Sequence, residues 1–169
     1  PKNFESVPIK DRIKNQLALM NIEIYDNPDI SWMLNKNIIN LPNNDFVILL
    51  PGSSLEHKHK RWPAEKFAEL ANHLKERNID SIILGQSHSE GEELKKIKLL
   101  APKIIDFSNQ DLDCLATTAS KAIGAIGNDT GPTFIAAAAG CPITWLLSSH
   151  TDPNITQLLG SKVNTLKKD

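Results

Sequence analysis

The sequence predicts an α/β domain built on a doubly wound, mostly parallel sheet. Three observations carry that expectation. Short apolar runs such as "FVILL" (46–50) recur between Phe46 and Leu147, as expected of strands buried on both faces rather than half-exposed antiparallel ones. Between those runs lie segments of helical period, the pattern of successive strand–helix–strand units. The chain's 169 residues also suffice for one domain with a sizeable core.

Residues 6–20, "SVPIKDRIKNQLALM", begin Ser-x-Pro and place Ile9, Ile13, Leu17 and Met20 at helical spacing, so a helix is expected there. The Pro/Asn-punctuated stretch that follows reads as a loose connector. "FVILL" is then the first buried strand. "PAEKFAELANHLKER" (63–77) is a helix with Phe67, Leu70, Ala71 and Leu74 on one face. "SIILG" (81–85) is a strand, "GEELKKIKLLA" (91–101) a helix and "KIIDF" (103–107) a strand. "DLDCLATTA" (111–119) is a helix started by Ser108 or Asn109. The small, apolar "KAIGAIG" (121–127) gives a fourth strand, "PTFIAAAA" (132–139) a helix and "PITWLL" (142–147) a fifth strand. A last helix is expected in "NITQLLG" (154–160).

Composition narrows the function. The formal net charge is −1, and the cations are dispersed apart from one cluster at Lys58–Arg61, which argues against a nucleic-acid partner. Cys114 and Cys141 lie far apart in apolar surroundings without a CxxC partner, pointing to a reducing cytosol and away from zinc. His57 and His59 have no third ligand nearby, so no metal site is expected, and no cofactor is implied. No apolar run reaches the length of a membrane span, and no signal peptide opens the chain. Its first residue, Pro1, leads us to expect a processed product or a piece of something longer. The three tryptophans read as packing residues. P-loop, GxGxxG and GxSxG signatures are all absent.

In parallel sheets ligands bind beyond the carboxyl ends of the strands, so the strand-to-helix turns can be read as one crevice. "PGSSLEHKHKRWP" (51–63) supplies Ser53, Ser54, Lys58, Lys60 and Arg61, hydroxyls and cations that suit phosphate or make a solvated basic loop. "LGQSHSEGEE" holds Glu90, a candidate acceptor for ribose hydroxyls or a complement to the helix dipole. "FSNQDLD" offers Asn109 and Gln110 as a polar rim or as caps. "GNDTGPTFIAAAAG" (127–140) places Asp129, Thr130 and Gly131 before a helix with Pro132 in its first turn. Such a turn either binds an anion at the helix N-terminus or is capped by Asp129 or Thr130. Cations and a helix N-terminus suit a diphosphate, and carboxylates suit sugar hydroxyls; a nucleotide sugar asks for both.

"KRWP" after a Gly/Ser turn, followed by "NDTGP…AAAAGCP" and "TDP", resembles the lipopolysaccharide heptosyltransferases, family nine of the glycosyltransferases. The resemblance runs from about Phe46 to Pro153 with the order and spacing of the turns kept. It implies a Rossmann-like domain, the second half of a GT-B fold, that binds a nucleotide-sugar donor, usually ADP-heptose. Residues 46–169 would be that domain and residues 1–45 an interdomain helix and connector. By the same resemblance Ser53 and Ser54 contact the donor diphosphate, and Lys60 neutralises its phosphates. Glu90 falls near the ribose-binding acid, and Gln110 sits where the family presents a group to adenine. Asp129 lies near the donor sugar, while Thr130 and Gly131 give amides or a hydroxyl to phosphate. One position departs from the pattern: three residues after the glycine the family commonly has His, and here stands Phe134, which cannot donate to a phosphate.

The resemblance also puts the general base, an Asp, in an N-terminal acceptor domain that this chain does not contain. The expected activity is therefore transfer of a heptose, or a related sugar, from an ADP-activated donor to the lipopolysaccharide inner core. It would take place in the cytoplasm, with peripheral contact at the inner face of the inner membrane, and the isolated domain would be inactive. Two alternatives stand beside it. One is another GT-B enzyme such as a nucleotide-sugar epimerase; the other is a non-catalytic sugar-nucleotide-binding module.

Overall fold

The structure, a computed structural model, describes residues 7–24, 29–53, 61–149, 151–160 and 162–167. Among the described residues six strands form one sheet, all parallel, in the order β3-β2-β1-β4-β5-β6. They are β1 (Phe46–Leu50), β2 (Asp80–Ile83), β3 (Ile105–Asp106), β4 (Gly124–Asn128), β5 (Ile143–Leu147) and β6 (Val163–Lys167). The helices are α1 (Ile9–Ala18), α2 (Ala64–Glu76), α3 (Ser87–Leu100), α4 (Leu112–Lys121), α5 (Gly131–Ala138) and the single turn α6 (Pro153–Thr156). The doubly wound α/β reading holds, with a sixth strand at the edge that the sequence did not announce.

Two cores explain why these segments fold as they do. Strand β1 is buried at all five positions, so its alternate residues feed opposite layers. Val47, Leu49 and Ile83 pack under α2 and α3, where Phe67, Ala68, Ala71, Leu94 and Ile97 close the layer. Phe46, Ile48, Leu50, Ile82 and Trp145 pack under α4 and α5, against Leu115, Ala119, Ala136 and Ala137. The alanines of α5 allow close approach to the sheet, and two of them are almost wholly buried. Gly140, at φ +84, turns the chain out of that helix, a conformation that costs glycine least.

Several boundaries differ from expectation. Helix α3 begins at Ser87 rather than Gly91, so Glu90 lies in its first turn and not in a loop. Neither Ser108 nor Asn109 starts α4. Its cap is Asp111, whose carboxylate accepts from the Cys114 N–H at 2.7 Å. Asn109 instead takes a left-handed φ of 62°, which asparagine tolerates in turns. The helix expected over 154–160 shrinks to α6, and β3 to two residues. The connector is also less loose than it reads. Ser31–Met33 forms a 3-10 turn, Met33 is buried, and its carbonyl accepts from Thr117 Oγ1 at 3.0 Å. Helix α1 forms but buries none of its residues; Ile9 and Ile13 line an apolar groove with Met33, Phe134 and Ile135. Among the described residues no helix is long and apolar enough to cross a membrane.

Candidate functional site

The strand order reverses between β1 and β4. From β1 the chain proceeds to β2 on one side, while β4 leads to β5 on the other. Crossovers therefore leave in opposite directions and open a crevice beyond the carboxyl ends of the two strands. Leu50 pairs with Gly127, so the turns that follow the two strands, one from Pro51 and the other from Asp129 just after Asn128, leave the sheet side by side. Gly52, Glu90, Gln110 and Thr130 line one pocket there, over apolar walls from Leu50, Leu84, Leu112, Leu115 and Pro132. Three of the residues singled out from sequence thus meet, each from a different strand end.

Glu90 is held closely. Its Oε2 accepts from the Gln86 N–H at 2.9 Å, reaching back over the start of α3, and the side chain is buried. Its carboxylate also fills the space above two glycines. A Cβ on Gly52 would stand 1.9 Å from Oε1, and one on Gly85 2.5 Å from Oε2. The glycines of the first two turns are what admit the carboxylate into the crevice. Beside it, Gln86 Nε2 donates to the Gln110 carbonyl at 3.2 Å, linking the second and third turns.

Ser53 is buried one residue beyond Gly52. Arg61 Nε donates to its hydroxyl at 3.0 Å and Arg61 Nη2 to its carbonyl at 2.6 Å, while Arg61 Nη1 pairs with Glu93 on α3. Arg61, read from sequence as one of the phosphate-facing cations, is thus committed to fixing the Ser53 turn onto α3. Ser54 and Lys60 lie outside the described residues, as do His57, Lys58 and His59.

The fourth turn divides. Thr130 is the N-cap of α5 but makes no side-chain cap bond, so its hydroxyl does not take up the first-turn amides. Gly131 is exposed at the first helical position. Asp129 is directed to the β5 side, where its Oδ2 accepts from Thr151 Oγ1 at 3.4 Å. Phe134 takes no part in the pocket. It meets Trp145 edge-on, with ring centroids 6.0 Å apart, and lines the apolar groove beside α1.

Sequence reasoning passed over Asn128. It ends the apolar β4 and is fully buried. Its Nδ2 donates to the Pro51 carbonyl at 2.6 Å, and its Oδ1 accepts from the Trp62 N–H at 3.0 Å. The available signal was a lone amide closing an apolar run directly before the Asp-Thr-Gly turn. The Asp111 carboxyl is held below its usual range by the Cys114 N–H and then by Lys36. Burial pushes both thiols up, that of Cys141 to about 12. Among the described residues no group of three His, Cys, Asp or Glu side chains could hold a metal ion.

The family model of glycosyltransferase family 9 (heptosyltransferase) matches residues 18–169. No curated protein matches the chain in sequence. Among solved structures it is similar to the ADP-heptose lipopolysaccharide heptosyltransferase II of E. coli, with a TM-score of 0.69 and 19% identity over 86% of this chain and 46% of that one. E. coli heptosyltransferase WaaC with ADP gives a TM-score of 0.67 and 22% identity over 77% of this chain and 40% of that one. A family 9 glycosyl transferase from Veillonella parvula gives 0.64 and 21% over 76% and 36%. The chain thus spans less than half the length of these three structures.

Proposed function

Because the chain belongs to glycosyltransferase family 9, the heptosyltransferase family, we propose that it binds the nucleotide-sugar donor for transfer of a heptose, or a related sugar, to the lipopolysaccharide inner core. Residues 46–169 act as the donor-binding domain, and residues 1–45 as the helix and connector that join it to an acceptor domain. The observation that carries this reading is the meeting of Gly52, Glu90, Gln110 and Thr130 at the sheet's switch point. The apolar walls there suit a purine ring with Gln110 at its rim, and Glu90 is placed for ribose hydroxyls. Ser53, Thr130 and Gly131 take the diphosphate, together with Ser54 and Lys60 by analogy with the family. Asp129 stands on the β5 side, toward the donor sugar.

In the reaction the bond from the sugar's anomeric carbon to the phosphate oxygen breaks, and an acceptor hydroxyl oxygen bonds to that carbon. Its proton passes to a carboxylate of the acceptor domain, so the isolated donor domain binds without turning over. Negative charge grows on the departing diphosphate, where the positive end of α5 and the backbone amides before it stabilise it. A solvent-exposed leaving group would rely on water alone for that stabilisation.

Calorimetric titration of the 169-residue chain with ADP, UDP and GDP tests the reading. ADP should bind measurably and more tightly than UDP, whose smaller ring leaves apolar wall uncovered. Equal, weak heats for all three would reject a nucleotide site.

A further inference from the structure

We propose that Asn128 is a positioning residue for the donor diphosphate, setting the Gly52–Ser53 turn against the Asp129–Gly131 turn through its bonds to Pro51 and Trp62. The proposal rests on the reading of the crevice as a nucleoside-diphosphate site. A primary amide at the end of an apolar strand, opposite Leu146 in the neighbouring strand and 0% exposed, is costly to bury unless its polar atoms are satisfied. Here they are satisfied across elements distant in sequence: Pro51 lies 77 residues away and Trp62 66 residues away. One side chain therefore grips the backbone just before Gly52–Ser53 and just before the Pro63 cap of α2.

Its main chain performs a matching task on the other turn. The Asn128 carbonyl accepts from Thr133 Oγ1 at 2.8 Å, which ties the end of β4 to the first turn of α5. Around this residue the ends of β1 and β4 and the starts of α2 and α5 share one frame. Diphosphate recognition needs donors from two turns at matched distances, and such geometry degrades steeply with small displacements. The base and ribose part of the crevice is built mainly from Glu90, Gln86 and Gln110 on other elements and meets the two gripped turns only along the edge formed by Gly52, Thr130 and Pro132, so the amide bears on it less than on the diphosphate.

That separation defines the test, which compares ADP with adenosine by calorimetry on the full chain. In Asn128→Asp at pH 8, the carboxylate can still accept from the Trp62 N–H but sets an oxygen against the Pro51 carbonyl. Affinity for ADP should fall by at least about tenfold, the order expected when one charge-assisted hydrogen bond to a phosphate is lost. Affinity for adenosine should stay within about twofold of wild type. Lowering the pH to about 5.5 protonates the introduced carboxyl, whose pKa burial raises, and supplies a hydroxyl donor where Nδ2 stood. Asp129 and Arg61, the ionisable neighbours in sequence of Asn128 and Trp62, are common to both proteins, so the ratio to wild type at each pH isolates the new group. That ratio for ADP should recover toward one.

Asn128→Ser, smaller and free of added charge, should lose ADP affinity without recovering it at low pH, and it serves if the first variant does not fold. Parallel loss of ADP and adenosine affinity, or wild-type affinity for ADP in both variants, overturns the positioning role. Failure of the wild-type chain to bind either ligand overturns the nucleotide reading beneath it.

Discussion

Replacing Glu90 by glutamine keeps the side chain's size and one oxygen able to accept from the Gln86 N–H, now bonded at 2.9 Å, while removing the charge. The side chain is 8% exposed, and its carboxylate lies over Gly52 and Gly85, so the amide has little room to reorient. A hydroxyl donating to a carboxylate gains about 1.5–3 kcal/mol, or roughly 10- to 150-fold in affinity at one decade per 1.4 kcal/mol. The helix start loses a favourable charge worth about 0.3–1 kcal/mol, which should lower Tm by only about 1–4 °C in a chain of this size. Titrations with ADP and 2′-deoxy-ADP, each against wild type and Glu90→Gln, separate the two effects. Wild type should prefer ADP by about the factor above, and the variant should bind both nucleotides alike. A variant that loses stability yet keeps the preference for ADP would reduce Glu90 to a helix cap and refute the ribose assignment.

Two further expectations concern packing and pH. A Cβ on Gly127 would lie 2.4 Å from Thr133 Oγ1 and 2.9 Å from Leu50 Cβ, so Gly127→Ala should cost about 1–3 kcal/mol in thermal unfolding. Gly91→Ala, where nothing lies within 4 Å and the residue is inside α3, should instead gain about 0.5–1 kcal/mol; equal shifts for the pair would contradict the packing described. The Cys141 thiol, pushed from 9.0 to about 12 by burial, keeps its proton where the unfolded chain has lost it. Stability should therefore fall as pH rises through that interval, and Cys141→Ala should flatten the fall in a urea-unfolding series.

The parts of the fold that were legible in the sequence are those where burial leaves a compositional trace. "FVILL" and "PITWLL" read as strands between two layers, and the helical spacing of Phe67, Leu70, Ala71 and Leu74 marked α2, which buries Phe67 and Ala71 fully, Leu70 and Leu74 in part, and Ala64 and Ala68 beside them. The edge strand β6, "VNTLK", left no such trace, because only Val163 is even partly buried. In "SHSEGEE" a polar start and Gly91 concealed the first turn of α3. The spacing of Ile9, Ile13 and Leu17 correctly marked a helix but not its surroundings, since apolar periodicity reports a face and not what covers it. At the crevice, topology alone brought Glu90, Gln110 and Thr130 together. Side-chain commitments were invisible: nothing in "KRWP" tells that Arg61 is spent on Ser53 and Glu93, nor in "GND" that Asn128 reaches Pro51 and Trp62.

The most direct check is amide chemical-shift mapping of the isotope-labelled chain during titration with ADP. Gly52, Ser53, Gln86, Gln110, Thr130 and Gly131 should shift together and saturate at one affinity. Ile13 and Ile135, on the apolar groove beside α1, should stay in place. Shifts confined to that groove, or none at saturating ADP, would contradict a donor site at the junction of β1 and β4.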